Sequence, residues 1–283
     1  MTDFQHLLHG AAGRWAWEPI TIALLAASGL LYASGVRALW RRAGTGSGIK
    51  RWQAASFGAG LLALTIGLLS PLAWLSTVLF SAHMTQHEVL MLVAAPLLVF
   101  GHPLVAVIWA LPRRWRDTVG GATRHPAFSN AWQRATTPLT VFIIHAIVLW
   151  LWHVPALWEA AMRSTPLHAI QHLTFVLAAA LFWWGMVHGR YGRMAYGAAV
   201  FYVFLTAIHS SLLGAVMTIA PSIWYRSYVD AAAKWNVDAL VDQQLAGLLM
   251  WVPSGVIFIV LGLALFAAWL GESERRVRLG SVQ

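Results

Sequence analysis

Cysteine is absent from this sequence. That excludes a disulfide framework and any thiolate metal site, and it leaves a soft metal ion only histidine and methionine to bind. Charge is also scarce. Asp, Glu, Lys and Arg make up 10% of the 283 residues, against roughly 25% in an average soluble chain. A water-facing surface cannot be built from so little charge, and 59% of the residues are hydrophobic. The net charge of +9 does not point to nucleic acid. The basic residues fall in short runs between apolar stretches, the distribution that orients membrane helices. Met1 to Glu18 has neither the basic start nor the small-residue cleavage site of a signal peptide, so the first apolar segment is expected to be retained.

A membrane span needs about 20 mainly apolar residues. Seven such segments are read at 19–40, 53–75, 78–100, 136–157, 166–188, 195–219 and 240–270. The apolar stretch from Gly101 to Pro112 is too short to cross, is bracketed by Pro103 and Pro112, and is expected to be re-entrant or interfacial. Lys and Arg accumulate on the cytoplasmic side of bacterial membranes. With the N-terminus outside, the inner loops hold Arg37, Arg41, Arg42, Lys50, Arg51, Arg113, Arg114, Arg116, Arg124, Arg134, Arg190, Arg193, Arg275, Arg276 and Arg278. The outer segments hold Arg14, Arg163, Arg226 and Lys234, so the 19 basic residues divide 15 against 4. The expectation is an all-α, polytopic membrane helix bundle of about seven helices, N-terminus out and C-terminus in, forming a single transmembrane domain over 1–283 with the lipid bilayer as its surroundings.

Ionisable groups in hydrocarbon are costly and mark function by default. Placed by the 1.5 Å rise per residue, His83 and His87 sit at the outer start of span three and His153 at the outer end of span four. His168 and His172 open span five, and Asp242 opens span seven with Gln243 and Gln244. Roughly half a membrane deeper lies a second layer of His145, His209 and Met250. His83 and His87, like His168 and His172, are four residues apart and so share one helical face. Both pairs read His-x-x-Gln-His. Imidazole with thioether and no thiolate suits copper, and Met84 beside His83 favours Cu(I). The bland readings are an interhelical hydrogen bond for a lone histidine, packing for Met84, an N-cap for Asp242, and an aromatic belt for Trp150, Trp152, Trp158, Trp183 and Trp184. His102, His125 and His188 fall near the inner face and are read as structural. His6 and His9 lie in the outer tail.

The segments Ser81 to His87, Pro96 with Gly101-His102-Pro103, Leu151 to Pro155, Leu167 to His172, Asp242-Gln243-Gln244 and Met250-Trp251 occur in one order between about residues 80 and 255. In these the chain resembles the cytochrome c oxidase assembly factor CtaG family of the kind found with Bacillus caa-type oxidases. The resemblance implies a multispan protein of the bacterial plasma membrane, not an enzyme, that helps assemble a haem-copper oxidase by delivering copper to an oxidase subunit. It marks His83, Met84, His87, His153, His168, His172 and Asp242, and the division of basic residues puts these on the periplasmic side. Three alternatives stay open: a copper uptake protein with the deeper histidines as its path, a b-type cytochrome with haem on histidines of different helices, and a di-iron oxygenase with histidine boxes.

Overall fold

The computed structural model describes residues 13–188 and 196–280, in which every regular element is helical. Arg190 and Arg193 in the expected inner loop, and His6 and His9 in the N-terminal tail, lie outside the described residues. The helices are α1 (Pro19–Ala43), α2 (Arg51–Leu69), α3 (Pro71–Leu75), α4 (Phe80–Glu88), α5 (Ala95–Phe100), α6 (Pro103–Ala110), α7 (Arg113–Arg124), α8 (Pro126–Ala135), α9 (Pro138–Trp152), α10 (Pro155–Arg163), α11 (Thr165–His188), α12 (Tyr196–Thr218), α13 (Val229–Ala233) and α14 (Ala239–Gly280). A π-helical segment, Val89–Ala94, joins α4 to α5.

Proline sets much of this punctuation. It occupies the first turn of α1, α3, α5, α6, α8, α9 and α10, where its missing N–H costs nothing and its fixed φ suits a helix start. The same property corrects one expected span. The fourth was read as 136–157, but its helix ends at Trp152 and a new one begins at Pro155, because Pro155 disfavours helical backbone at Val154 and lacks the N–H to continue. The second, read as 53–75, is one candidate span over Arg51–Leu75 with a helix junction at Ser70, where the serine hydroxyl accepts from Leu72 N and Pro71 starts α3. Among the described residues six helices are long and apolar enough to cross a membrane. They become seven when α8 and α9, bent by 57° at their junction, count as one broken span.

The short helix α6 packs closely against α1. A Cβ on Gly35 would collide with the backbone carbonyl of Ala106, so glycine is what permits this approach. Tyr32 stacks on Phe57 with ring centroids 3.7 Å apart and donates its hydroxyl to Gly101 O at 2.7 Å. The main apolar core lies elsewhere, among Met91, Phe175, Phe182, Tyr202, Val203, Met217 and Met250. Large apolar side chains such as Leu24, Leu62, Leu177, Phe201 and Leu263 are exposed on the outside of the bundle, as a lipid-facing surface requires.

Candidate metal centre

Two helices present the histidine pairs to each other. His83 and His87 project from α4, while His168 and His172 project from the first two turns of α11. Neighbouring rings among the four lie with centroids 4.3–5.8 Å apart. One ring nitrogen from each of His83, His168 and His172 falls within 4.8 Å of the others. His87 joins through its Nε2, which is 3.1 Å from Nε2 of His83. The four-residue spacing thus produces a compact cluster of imidazoles, enclosed by Trp158 at 4.8 Å from His83 and Phe175 at 4.7 Å from His87.

Hydrogen bonds orient the donors. Nδ1 of His83 lies 2.8 Å from the Tyr228 hydroxyl and 3.3 Å from Ser76 O. A carbonyl can only accept, so the proton belongs on Nδ1. Tyr228 in turn donates to Met162 Sδ at 3.3 Å, and burial, raising its pKa well above the usual phenol value, keeps that proton in place. The Nε2 lone pair of His83 is left facing the cluster, the arrangement that outer hydrogen-bond partners impose on metal-binding histidines. His153 follows the same logic. Its Nδ1 donates to Leu149 O at 2.7 Å, and its Nε2 is buried without a partner. Nε2 of His168, Nε2 of His172 and Nδ1 of His87 are also buried and unpartnered. Each such atom costs about 1–3 kcal/mol, and a first-row ion with bonds of about 2 Å to imidazole would satisfy several at once. The residues present therefore fit a metal.

The other expected ligands occupy different places. His153 is separated from the four by Trp158, whose ring is 5.6 Å from His153 and 5.8 Å from His87. Beside His153 a groove of about 310 Å³ opens, walled by Trp150, Pro155, Leu213 and Trp224. Met84 is 2% exposed and packs in the apolar core with Phe80 and Met91. Asp242 caps the N-terminus of α4 from α14: its carboxylate accepts from Phe80 N at 2.6 Å, from Ser81 N and from the Ser81 hydroxyl. A carboxylate there meets orphan N–H groups and the positive end of the helix dipole, and it holds the helix that carries His83. The N-cap of α14 itself is Asp238, whose Oδ1 accepts from Leu240 N and Val241 N at 2.8 and 3.0 Å. Gln243 and Gln244 fasten the preceding loop through Trp224 N, Ser222 O and Ala220 O. In the deeper layer His145 meets His209, with Nδ1 3.4 Å from Nε2, and Met250 is buried in the core.

Some residues of the site gave no such signal. Trp158, expected in an aromatic belt, is 0% exposed and forms a wall between the histidines. Trp152 is likewise turned inward and donates to Thr174 Oγ1 at 2.8 Å, and Trp183 donates to Met91 O at 3.1 Å. Tyr225, whose hydroxyl donates to His153 O at 2.8 Å, and Tyr228 come from the loop before α14. Glu88 directly follows His87 and has one carboxylate oxygen buried without a partner. An acidic residue inside an apolar segment was a readable signal.

Residues 30–272 match the family model of the cytochrome c oxidase caa3 assembly factor. The chain belongs to this family. Among curated proteins it is 26% identical over 270 residues to an uncharacterized protein of Mycobacterium bovis, covering 89% of this chain and 39% of that protein. An uncharacterized protein of Mycobacterium leprae is 24% identical over 274 residues, covering 92% and 40%. The chain thus spans about two fifths of the length of these relatives. No solved structure matches it. Membership in this family leaves open what the histidine cluster holds.

Proposed function

We propose that this assembly factor carries copper as cargo in the four-histidine cluster and hands it to a subunit of a haem-copper oxidase. The observation that carries the reading is the pair of His-x-x-x-His faces, which bring one nitrogen each of His83, His168 and His172 within 4.8 Å of one another, with Nε2 of His87 3.1 Å from Nε2 of His83. Neutral imidazoles have no charge of their own to desolvate, so a monovalent ion leaves only a single positive charge in the enclosure, and the absence of thiolate keeps binding weak enough for release by ligand exchange. Met84 follows His83 in sequence but packs with Phe80 and Met91, so its thioether serves Cu(I) only when the side chain turns out of the core. His153 stands beside the groove as the acceptor on the way out. Asp242 positions His83 through the start of α4. Haem is the weaker reading, since rings 4.3–5.8 Å apart leave no slot for a macrocycle between α4 and α11. Elemental analysis of protein reconstituted anaerobically with Cu(I), together with its absorption spectrum, tests this. Retained copper and a featureless Soret region are expected. Copper-free protein, or a Soret band, would remove the reading.

We further propose that the cluster faces the periplasm of a bacterial plasma membrane, on the strength of the basic residues' 15-to-4 division. A phosphatase fused after Gln283 is then inactive and a fluorescent protein there is bright. Phosphatase activity at that position would put the histidines on the cytoplasmic side.

A further inference from the structure

Below the four-histidine cluster, α9 and α12 run side by side, each with a buried row at four-residue spacing. On α9 the row is His145, Leu149 and His153. On α12 it is His209, Leu213 and Met217, of which Leu213 and Met217 are fully buried and His209 partly so. Residues four apart stand one above the other on a helix, so each row has a soft-metal donor at either end and leucine between. The rows meet at their deep end, where Nδ1 of His145 is 3.4 Å from Nε2 of His209 and the ring centroids are 5.3 Å apart. Phe142 lies 5.2 Å from His209 and Phe182 lies 6.0 Å from His145. Eight residues of helix, about 12 Å, separate His145 from His153.

An interhelical hydrogen bond alone accounts poorly for this pair. The nitrogens, 3.4 Å apart, are further from each other than the usual 2.9–3.0 Å or so for an N–H donor. Two neutral nitrogens facing each other in an apolar surround are, however, what a closed-shell monovalent ion takes when it binds only two ligands on opposite sides. With bonds of about 2 Å each, the nitrogens would stand about 4 Å apart, roughly half an ångström wider than they are. A divalent ion would need more donors or a counter-charge.

We propose that His145 and His209 form a second, two-coordinate Cu(I) site, joined to the outer cluster by way of His153 and Met217. It rests on the copper reading of that cluster. Protein is reconstituted anaerobically with chelator-buffered Cu(I), and copper content and the X-ray absorption edge are measured. The wild type is expected to hold about two ions per chain. His145→Phe with His209→Phe, which suits the flanking Phe142 and Phe182, should hold about one. His83→Ala with His172→Ala should also hold about one, with the intense pre-edge feature of linear Cu(I). That outer variant leaves the inner pair untouched, so its spectrum decides the matter even where the inner variant does not accumulate. Wild type with about one ion and an outer variant with none would make the inner pair a hydrogen bond only, while the outer reading stands. Wild type with none would remove both.

Discussion

Replacing His83 and His172 together with alanine is expected to weaken Cu(I) binding at the outer cluster by at least a hundredfold or so and to abolish assembly of active oxidase. Losing even a group that orients a ligand typically costs about 10–100-fold in metal affinity, and this change removes one donor from each facing pair. Folding should suffer little. The unpartnered Nε2 of His172 costs about 1–3 kcal/mol as it stands, which offsets part of the cavity left by truncation. Amounts of the protein in membranes should therefore stay near those of wild type while competition with a Cu(I) chelator reveals the loss. Tyr228→Phe keeps the ring against Phe80 but removes the nearer of the two acceptors for Nδ1 of His83, leaving Ser76 O, and about tenfold weaker binding is expected. Met84→Leu should cost less than about 1.5 kcal/mol in packing, so a fall in affinity there isolates the thioether. His125→Ala is the control: its side chain only accepts from Ala127 N at an exposed helix start. Equal loss of membrane protein in the double variant and of copper in the control would mean that the histidines act through folding.

Helical spacing made the core of this site legible. Two histidines four residues apart must share a face, so the α4 and α11 pairs could be read without knowing how the helices pack. Which pairs would face each other was a matter of tertiary structure, and there depth alone was a coarse guide. It grouped His153 with the other four, although Trp158 stands between them. Asp242 was grouped for the same reason, yet its oxygens are spent on the N-terminus of α4, a contact across 162 residues of sequence. Tyr225 and Tyr228 lie in a connection between spans, where hydropathy carries no information about which side chains fold inward. Trp158 was misjudged because tryptophan near a span's end usually lines the membrane interface, whereas α10 turns this one inward. The break at Pro155 was written in the sequence. It was passed over because the surrounding residues are apolar enough for a span.

Gly247→Leu is expected to deplete folded protein from the membrane severely, because it strikes where α12 and α14 come closest. A Cβ on Gly247 would stand 2.6 Å from Gly214 O, 2.6 Å from Thr218 N and 2.7 Å from Thr218 Oγ1. A Cβ on Gly214 would meet Gly247 O and Trp251 Cβ, each at 2.9 Å. Backbone faces backbone on both sides, so no flexible side chain can move aside. Lipid tails are as apolar as leucine, and helices in a membrane associate through such close packing rather than through apolar burial. Overpacking typically costs about 1–3 kcal/mol, and a leucine against rigid backbone belongs at or beyond the upper end. The consequence reaches the site, since α14 carries Asp242, which caps α4, and the two glutamines that fasten the loop bearing Tyr225 and Tyr228. Gly262→Leu on the same helix is the control, for nothing lies within 4 Å of its Cβ and replacing glycine inside a helix gains up to about 1 kcal/mol. Membrane abundance and a thermal melt of detergent-solubilised protein read the difference. A Gly247→Leu chain that accumulates and melts like the Gly262→Leu chain would show that α12 and α14 do not cross this closely, and the path from Asp242 to the histidines would have to be redrawn.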